Sequence, residues 1–77
     1  MEITHEIVKK IGVLSTSEKG WTKEINMVSW NGKPAKYDIR EWSPEDENGE
    51  RKMSKGITLS EAEVKKLKEL LEVWSLI

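Results

Sequence analysis

The feature that most constrains the fold of this 77-residue chain is that it contains no cysteine and a single histidine, His5. A domain this small buries only a modest part of its surface, and small scaffolds usually depend on disulfides, a structural metal or a partner subunit. No disulfide can form here, and one histidine without cysteine cannot build a Cys/His metal site. We therefore expect a single domain over residues 1–77, with no metal or cofactor, that gains stability from self-association.

The strongest local signal is the pair Asn31-Gly32, because both central residues of a type I′ hairpin turn need positive φ. The turn separates two segments rich in strand-forming residues, 21–30 (WTKEINMVSW) and 35–42 (AKYDIREW). The second segment alternates between apolar and polar residues, which predicts a half-buried strand with a polar, cationic outer face. Its apolar side holds Ala35, Tyr37 and Ile39, and its polar side holds Lys36, Asp38, Arg40 and Trp42.

Two further strands are predicted, one on either side of this hairpin. Residues 6–16 (EIVKKIGVLST) do not fit a helical pattern, and Gly12 favours a bulged strand. Residues 51–59 (RKMSKGITL) form a weaker strand, in which Gly56 indicates a bulge or a close backbone approach. An acidic loop over residues 43–50 precedes this last strand.

A C-terminal helix is predicted from Ser60 to about Trp74. Ser60 and Glu63 have the spacing of a capping box. The apolar positions cover about half of the helix circumference, by the angular advance of 100° per residue. They are Val64, Leu67, Leu70, Leu71, Val73, Trp74 and Ile77.

The predicted fold class is α+β: a four-stranded antiparallel meander with the helix packed on one face and the other face open. One sheet face can cover a stripe of a helix but hardly half of it, so the surplus apolar surface indicates a homodimer formed through the helix. The expected interface residues are Val64, Leu67, Leu70, Leu71 and Trp74.

Tryptophan is the preferred aromatic residue, with four Trp, one Tyr and no Phe. Trp21, Trp30 and Trp42 lie near strand ends, where they could cover the core of a thin sheet or stack on unpaired bases. Both interpretations stay open for each of them. Trp74 differs, because its place on the helix stripe favours core or dimer packing.

The basic residues of strands two to four could form a stripe across the sheet that contacts phosphates. These residues are Lys23, Lys36, Arg40, Lys52 and Lys55. Arg40 is the most suggestive, since a guanidinium can bind a phosphate with two hydrogen bonds or stack on a base. The alternative is an ordinary solvated face in which Asp38 and Glu41 pair with the cations.

Several functional classes are disfavoured by composition. The net charge of −1, from 13 basic and 14 acidic residues, is not that of a typical duplex-DNA binder. The chain lacks a nucleophile–base pair and a glycine-rich phosphate loop, so we expect no catalysis. The acidic residues at 45–47 lack the ligand spacing of a calcium loop. With no signal peptide and no membrane-spanning segment in the sequence, we expect a cytoplasmic protein.

Three segments together resemble a known family: GKPAKYDIREW (32–42), ENGE (47–50) and KMSKGITLSEAEVKKLKELL (52–71). They are similar in order and spacing to the C-terminal domain of the positive-cofactor-four transcriptional coactivators, in a short bacterial form. The resemblance implies a dimer joined through the helices, with a curved open sheet face that binds unpaired DNA. It also implies DNA-contacting roles for the residues that fall on the family's positions, namely Lys23, Trp30, Arg40, Trp42 and Lys55.

The predicted function is therefore binding of single-stranded DNA by a homodimer, with little sequence preference, in support of transcription, replication or repair. RNA is an alternative ligand. A second hypothesis is an adaptor that binds the transcription machinery through an exposed apolar patch. A third, a purely structural dimer, requires Trp21, Trp30 and Trp42 all to be buried.

Overall fold

A computed structural model describes residues 4–75 of the chain. Four strands are followed by one helix: β1 (His5–Thr16), β2 (Thr22–Trp30), β3 (Lys36–Trp42), β4 (Met53–Leu59) and α1 (Glu61–Ser75). The strands form one antiparallel sheet in the order β1-β2-β3-β4. The predicted meander and helix are confirmed, with every boundary within two residues of its expected place.

The turn between β2 and β3 has the predicted geometry. Asn31 and Gly32 have φ values of 50° and 75°, and the Lys33 N–H donates to the Trp30 carbonyl at 2.9 Å. Positive φ at both central positions is the mark of a type I′ turn, whose twist matches that of the flanking strands.

Strands β2 and β3 pair without a break, so alternate residues define two faces of the sheet. The face that we call the inner face holds Thr22, Glu24, Asn26, Val28, Trp30, Lys36, Asp38, Arg40 and Trp42. The outer face holds Lys23, Ile25, Met27, Ser29, Tyr37, Ile39 and Glu41.

The sheet curls strongly around its inner face. His5 pairs with Trp30 at one end of β2, whereas Trp42 pairs with Thr22 at the other end. These ends would be about 26 Å apart in an extended strand, yet the His5 and Trp42 rings are 5.4 Å apart. The curl encloses the small core, in which Val28 and Trp42 are 0% and 1% exposed.

This arrangement corrects the predicted orientation of β3. The alternation was predicted correctly, but the polar side, expected to face solvent, lies inside the curl. Asp38 is fully buried, whereas Tyr37 and Ile39 on the outer face are only half-buried. A sheet that closes on a polar face buries it, and the buried groups then have to pair with one another.

Bulges in β1 bend the edge strand along the curl. The register shifts three times, leaving Val8, Ile11 and Leu14 without partners in β2. Each bulge adds a residue and increases local twist. The predicted irregularity at Gly12 is confirmed, since one shift falls directly before it.

Helix α1 begins with the predicted capping box. The Ser60 N–H donates to Glu63 Oε1 at 2.9 Å, and the Glu63 N–H donates to Ser60 Oγ at 3.1 Å. These reciprocal bonds satisfy two of the free N–H groups at the helix start. They also lower the pKa of the Glu63 carboxyl, which accepts the Ser60 backbone hydrogen bond.

The helix does not pack on a sheet face within the chain, contrary to the prediction. Val64 is half-buried, but Leu70, Leu71 and Trp74 are 56%, 58% and 73% exposed. Only the start of the helix can therefore rest against the sheet, and its apolar face is open along most of its length. Ile77, predicted on the same stripe, lies outside the described residues.

Candidate nucleic-acid interface

Three rings and two guanidinium groups gather at the inner face. We call them the aromatic–guanidinium cluster: His5, Trp30, Arg40, Trp42 and Arg51. The His5 ring lies 5.8 Å from that of Trp30 and 5.4 Å from that of Trp42, tilted by 46° and 48°. The guanidinium carbon of Arg40 lies 4.7 Å from the Trp30 ring centre, and that of Arg51 lies 5.1 Å from the Trp42 ring centre. Both distances are within cation–π range.

Arg40 is held in place by a carboxylate on its own strand. Its Nε and Nη2 donate to the two carboxylate oxygens of Asp38 at 2.6 and 2.7 Å, and Nη1 donates to the Ser54 carbonyl at 3.3 Å. This two-pronged pairing fixes the guanidinium plane. Asp38 also accepts from the Thr58 hydroxyl at 3.5 Å. The pairing of Arg40 with Asp38, the alternative to phosphate binding in the sequence analysis, is thus present, but it is buried rather than solvated.

The second guanidinium, from Arg51, pairs with Glu24 across the sheet. Arg51 Nη1 donates to Glu24 Oε2 at 2.7 Å, and the Thr22 hydroxyl and Asn26 amide also donate to this carboxylate. Burial raises the pKa of the Glu24 carboxyl, but these hydrogen bonds and the Arg51 charge outweigh burial and lower it below its ordinary value. Glu24 is therefore a buried anion that anchors the end of the acidic loop to β2.

His5 is positioned by the residues before and opposite it. The Asn31 N–H donates to the Thr4 carbonyl at 2.9 Å, and the Thr4 N–H donates to Asn31 Oδ1 at 2.9 Å. The Thr4 hydroxyl donates to the same oxygen at 3.3 Å. The hairpin turn thus fastens the start of β1, which places the exposed His5 ring over the two tryptophans.

The predicted site residues divide between the two faces. Trp30 and Arg40 meet in the cluster with Trp42, but Trp42 is buried, so its ring is not open to a base. Trp21 is half-buried, lines a cleft with Lys19 and Glu41, and is not a member of the cluster. Trp21 and Trp30 keep some exposure in the single chain, whereas a purely structural dimer requires all three strand tryptophans to be buried once the dimer has formed.

The lysines do not form one stripe. Lys23 lies on the outer face opposite Glu41, whereas Lys36 and Arg40 lie on the inner face. Lys55 belongs to an irregular part of β4 between Met53 and Gly56, and Lys52 precedes the strand. All four lysines are exposed, and Lys23 lies on the opposite face of the sheet from Lys36. The predicted stripe through Lys23, Lys36 and Arg40 was wrong, because the register of β2 with β3 places Lys23 on the opposite face of the sheet from the other two.

Two members of the cluster were missed at the level of sequence. Arg51 follows an acidic loop and shows no periodic signal, and the bulges of β1 hide the alternation that would place His5 beside Trp30. A curled sheet brings residues together that lie at opposite ends of neighbouring strands.

The chain matches a family model over most of its length. Residues 17–70 match the model described as transcriptional coactivator p15, or PC4. The chain belongs to the PC4 family. Membership suggests nucleic-acid binding and a role connected with transcription. The match covers four of the five cluster residues; His5 lies before it.

A curated relative shares most of the chain. A protein of Treponema pallidum (strain Nichols), named only as an uncharacterized protein, is 49% identical over 72 residues. The alignment covers 94% of this chain and 80% of that protein. The similarity extends beyond the part of the chain that the PC4 model matches.

Two features of the described residues bear on other kinds of site. Among residues 4–75 no helix is long and apolar enough to cross a membrane. Within the same range no group of three or more His, Cys, Asp or Glu side chains is placed to hold a metal ion.

Proposed function

We propose that this PC4-family protein binds single-stranded nucleic acid, chiefly DNA, as a homodimer and without catalysis. The observation that supports this most is the aromatic–guanidinium cluster. Rings and planar cations meet there on the inner face of the curled sheet, with Trp30 half-buried and His5 exposed. Unpaired bases offer faces that stack on such rings, whereas paired bases hide them.

We expect the arginines and the lysines to play different roles in binding, because the two arginines of the cluster already pair with carboxylates of the protein. The charges of Arg40 and Arg51 are already balanced by Asp38 and Glu24. The two guanidinium groups therefore orient the tryptophan rings and can donate their remaining N–H groups to the nucleic acid. The exposed lysines then neutralise the phosphates, and each phosphate neutralised on a single strand adds about 0.7 to the salt slope.

Dimerisation is supported by the open apolar surface of α1. Leu67, Leu70, Leu71 and Trp74 are exposed in one chain, and Ile25 and Ile39 on the outer face are only half-buried. An exposed apolar stripe of this kind along a helix of a 77-residue chain is unusual for a monomer. A second copy that covers it would leave both inner faces free for nucleic acid.

The test is a titration of intrinsic tryptophan fluorescence with an oligo-thymidine of about 20 nucleotides. We expect strong quenching by the single strand, weak quenching by the matched duplex, and weaker binding at raised salt. An oligo-uridine competitor decides between DNA and RNA. The variant Lys55→Gln should reduce the salt slope by about 0.7, whereas Lys65→Gln on the helix should leave it unchanged. Absence of quenching in a folded protein at low salt contradicts the proposal.

A protein-binding adaptor is the second candidate, because the cations do not line one face and β1 exposes apolar residues. Val8, Ile11 and Leu14, the bulged residues of β1, are 57%, 46% and 60% exposed. These side chains offer a partner an apolar edge. A protein that fails to bind oligonucleotides but stays folded would favour this function.

A further inference from the structure

The position of His5 has a functional consequence for the proposed binding of nucleic acid, on which this inference rests. We infer that His5 is the ring on which a base stacks at the aromatic–guanidinium cluster, with Trp30 and Trp42 supporting it from beneath. His5 thereby joins the binding surface as a residue that lies before the part of the chain matched by the family model.

Accessibility distinguishes the three rings. Trp42 is 1% exposed and has Arg51 over it, so no base reaches its face. Trp30 is half-buried, and Arg40 lies over its ring. His5 contacts both tryptophans and is the exposed member of the three. An incoming base therefore meets the imidazole first.

The imidazole is also held in place. Three hydrogen bonds between Thr4 and Asn31 fix the backbone next to His5, and both tryptophan rings pack against it. A ring fixed before binding loses little conformational freedom when a base stacks on it. Its two nitrogens can in addition hydrogen-bond to a base edge or a phosphate.

The opposite role for His5 is to cover the tryptophan rings and keep a base from reaching them. If His5 only covered the tryptophans, its removal would expose Trp30 and tighten binding. The two roles predict changes of opposite sign, so one substitution separates them. His5→Phe keeps a ring of similar size without the polar nitrogens and serves as the matched control.

The experiment measures oligo-thymidine affinity for the wild type, His5→Ala and His5→Phe, each first shown to be folded by urea denaturation. We expect His5→Ala to weaken binding at least about fivefold, the lower bound for loss of one stacked base, and His5→Phe to stay within about twofold of wild type. Unchanged or tighter binding by His5→Ala overturns the inference while leaving single-strand binding itself intact. A wild type that binds no oligonucleotide overturns both.

A second measurement uses the fact that His5 is the chain's only histidine. The carbon-bound imidazole protons of an untagged protein can then be identified in a proton NMR spectrum without further assignment. A stacked base should shift them upfield through its ring current as oligo-thymidine is added. Signals that stay in place at saturation, while tryptophan fluorescence is quenched, contradict stacking on His5.

Discussion

Gly56 lies directly opposite Arg40 on neighbouring strands, and the missing side chain at Gly56 makes room for the arginine. A Cβ at this position would overlap the Ile39 carbonyl oxygen and the Cβ of Arg40. The predicted close backbone approach at Gly56 is thereby confirmed. The glycine permits the Arg40 side chain to lie across β4, where its Nη1 reaches the Ser54 carbonyl.

Gly56→Ala should destabilise the fold by about 3 kcal/mol, the upper range for an overpacked site, because the new methyl group meets backbone atoms that cannot move aside. Gly12→Ala is the matched control. Gly12 also lies in a strand, but a Cβ there meets nothing within 4 Å and its φ is not positive. Urea denaturation of both variants tests this. Equal midpoints for the two would contradict the steric role of Gly56.

Replacing only one partner of the Arg40–Asp38 ion pair should lower the free energy of unfolding more than replacing both partners. Arg40→Gln leaves the Asp38 carboxylate, which is fully buried, without its countercharge, and we expect a loss of about 3 kcal/mol. The double variant Arg40→Gln, Asp38→Asn should recover a large part of that loss, since no uncompensated charge stays buried. Denaturation midpoints measure both. A double variant no more stable than Arg40→Gln would show that shape, not charge balance, decides stability here.

The Glu24 carboxyl should make stability depend on pH in the acid range. Its pKa in the folded protein is lowered from the ordinary value of 4.5. Its contribution to the free energy of unfolding is therefore complete above about pH 4.5 and is lost as the pH falls through the folded-state pKa. Urea midpoints between about pH 3 and 7 should decline at the acid end for the wild type. The decline should be smaller for Glu24→Gln, and identical profiles would contradict this role.

The apolar face of α1 offers a test of dimerisation that does not disturb the sheet. Leu71 is 58% exposed in one chain, so Leu71→Glu should leave the monomer folded while it places a charge in the proposed interface. We expect the mass in analytical ultracentrifugation to change from dimer to monomer. Lys65→Glu, on the polar side of the same helix, is the control and should stay dimeric. A wild type that sediments as a monomer would contradict the proposed dimer.

Much of the fold is predictable because its signals are local. Asn31-Gly32 requires positive φ, and Ser60 with Glu63 forms the capping box that starts α1. The candidate site is predictable only in part. Trp30 is found by its place near a strand end and Arg40 by its place on the polar side of β3, and they meet in the cluster. His5 and Arg51 are not found, because nothing near them in sequence indicates their neighbours.

By itself the sequence determined the order of the strands, the turn between β2 and β3, the start of the helix and the alternation along β3. These depend on backbone preferences and on hydrogen bonds between residues a few positions apart. Only the tertiary structure decided which face of the sheet is buried. That outcome depends on how far the sheet curls, and the curl arises from bulges in β1 and from contacts between its two ends. Asp38 and Trp42 are therefore inside, and the apolar face of the helix is left open.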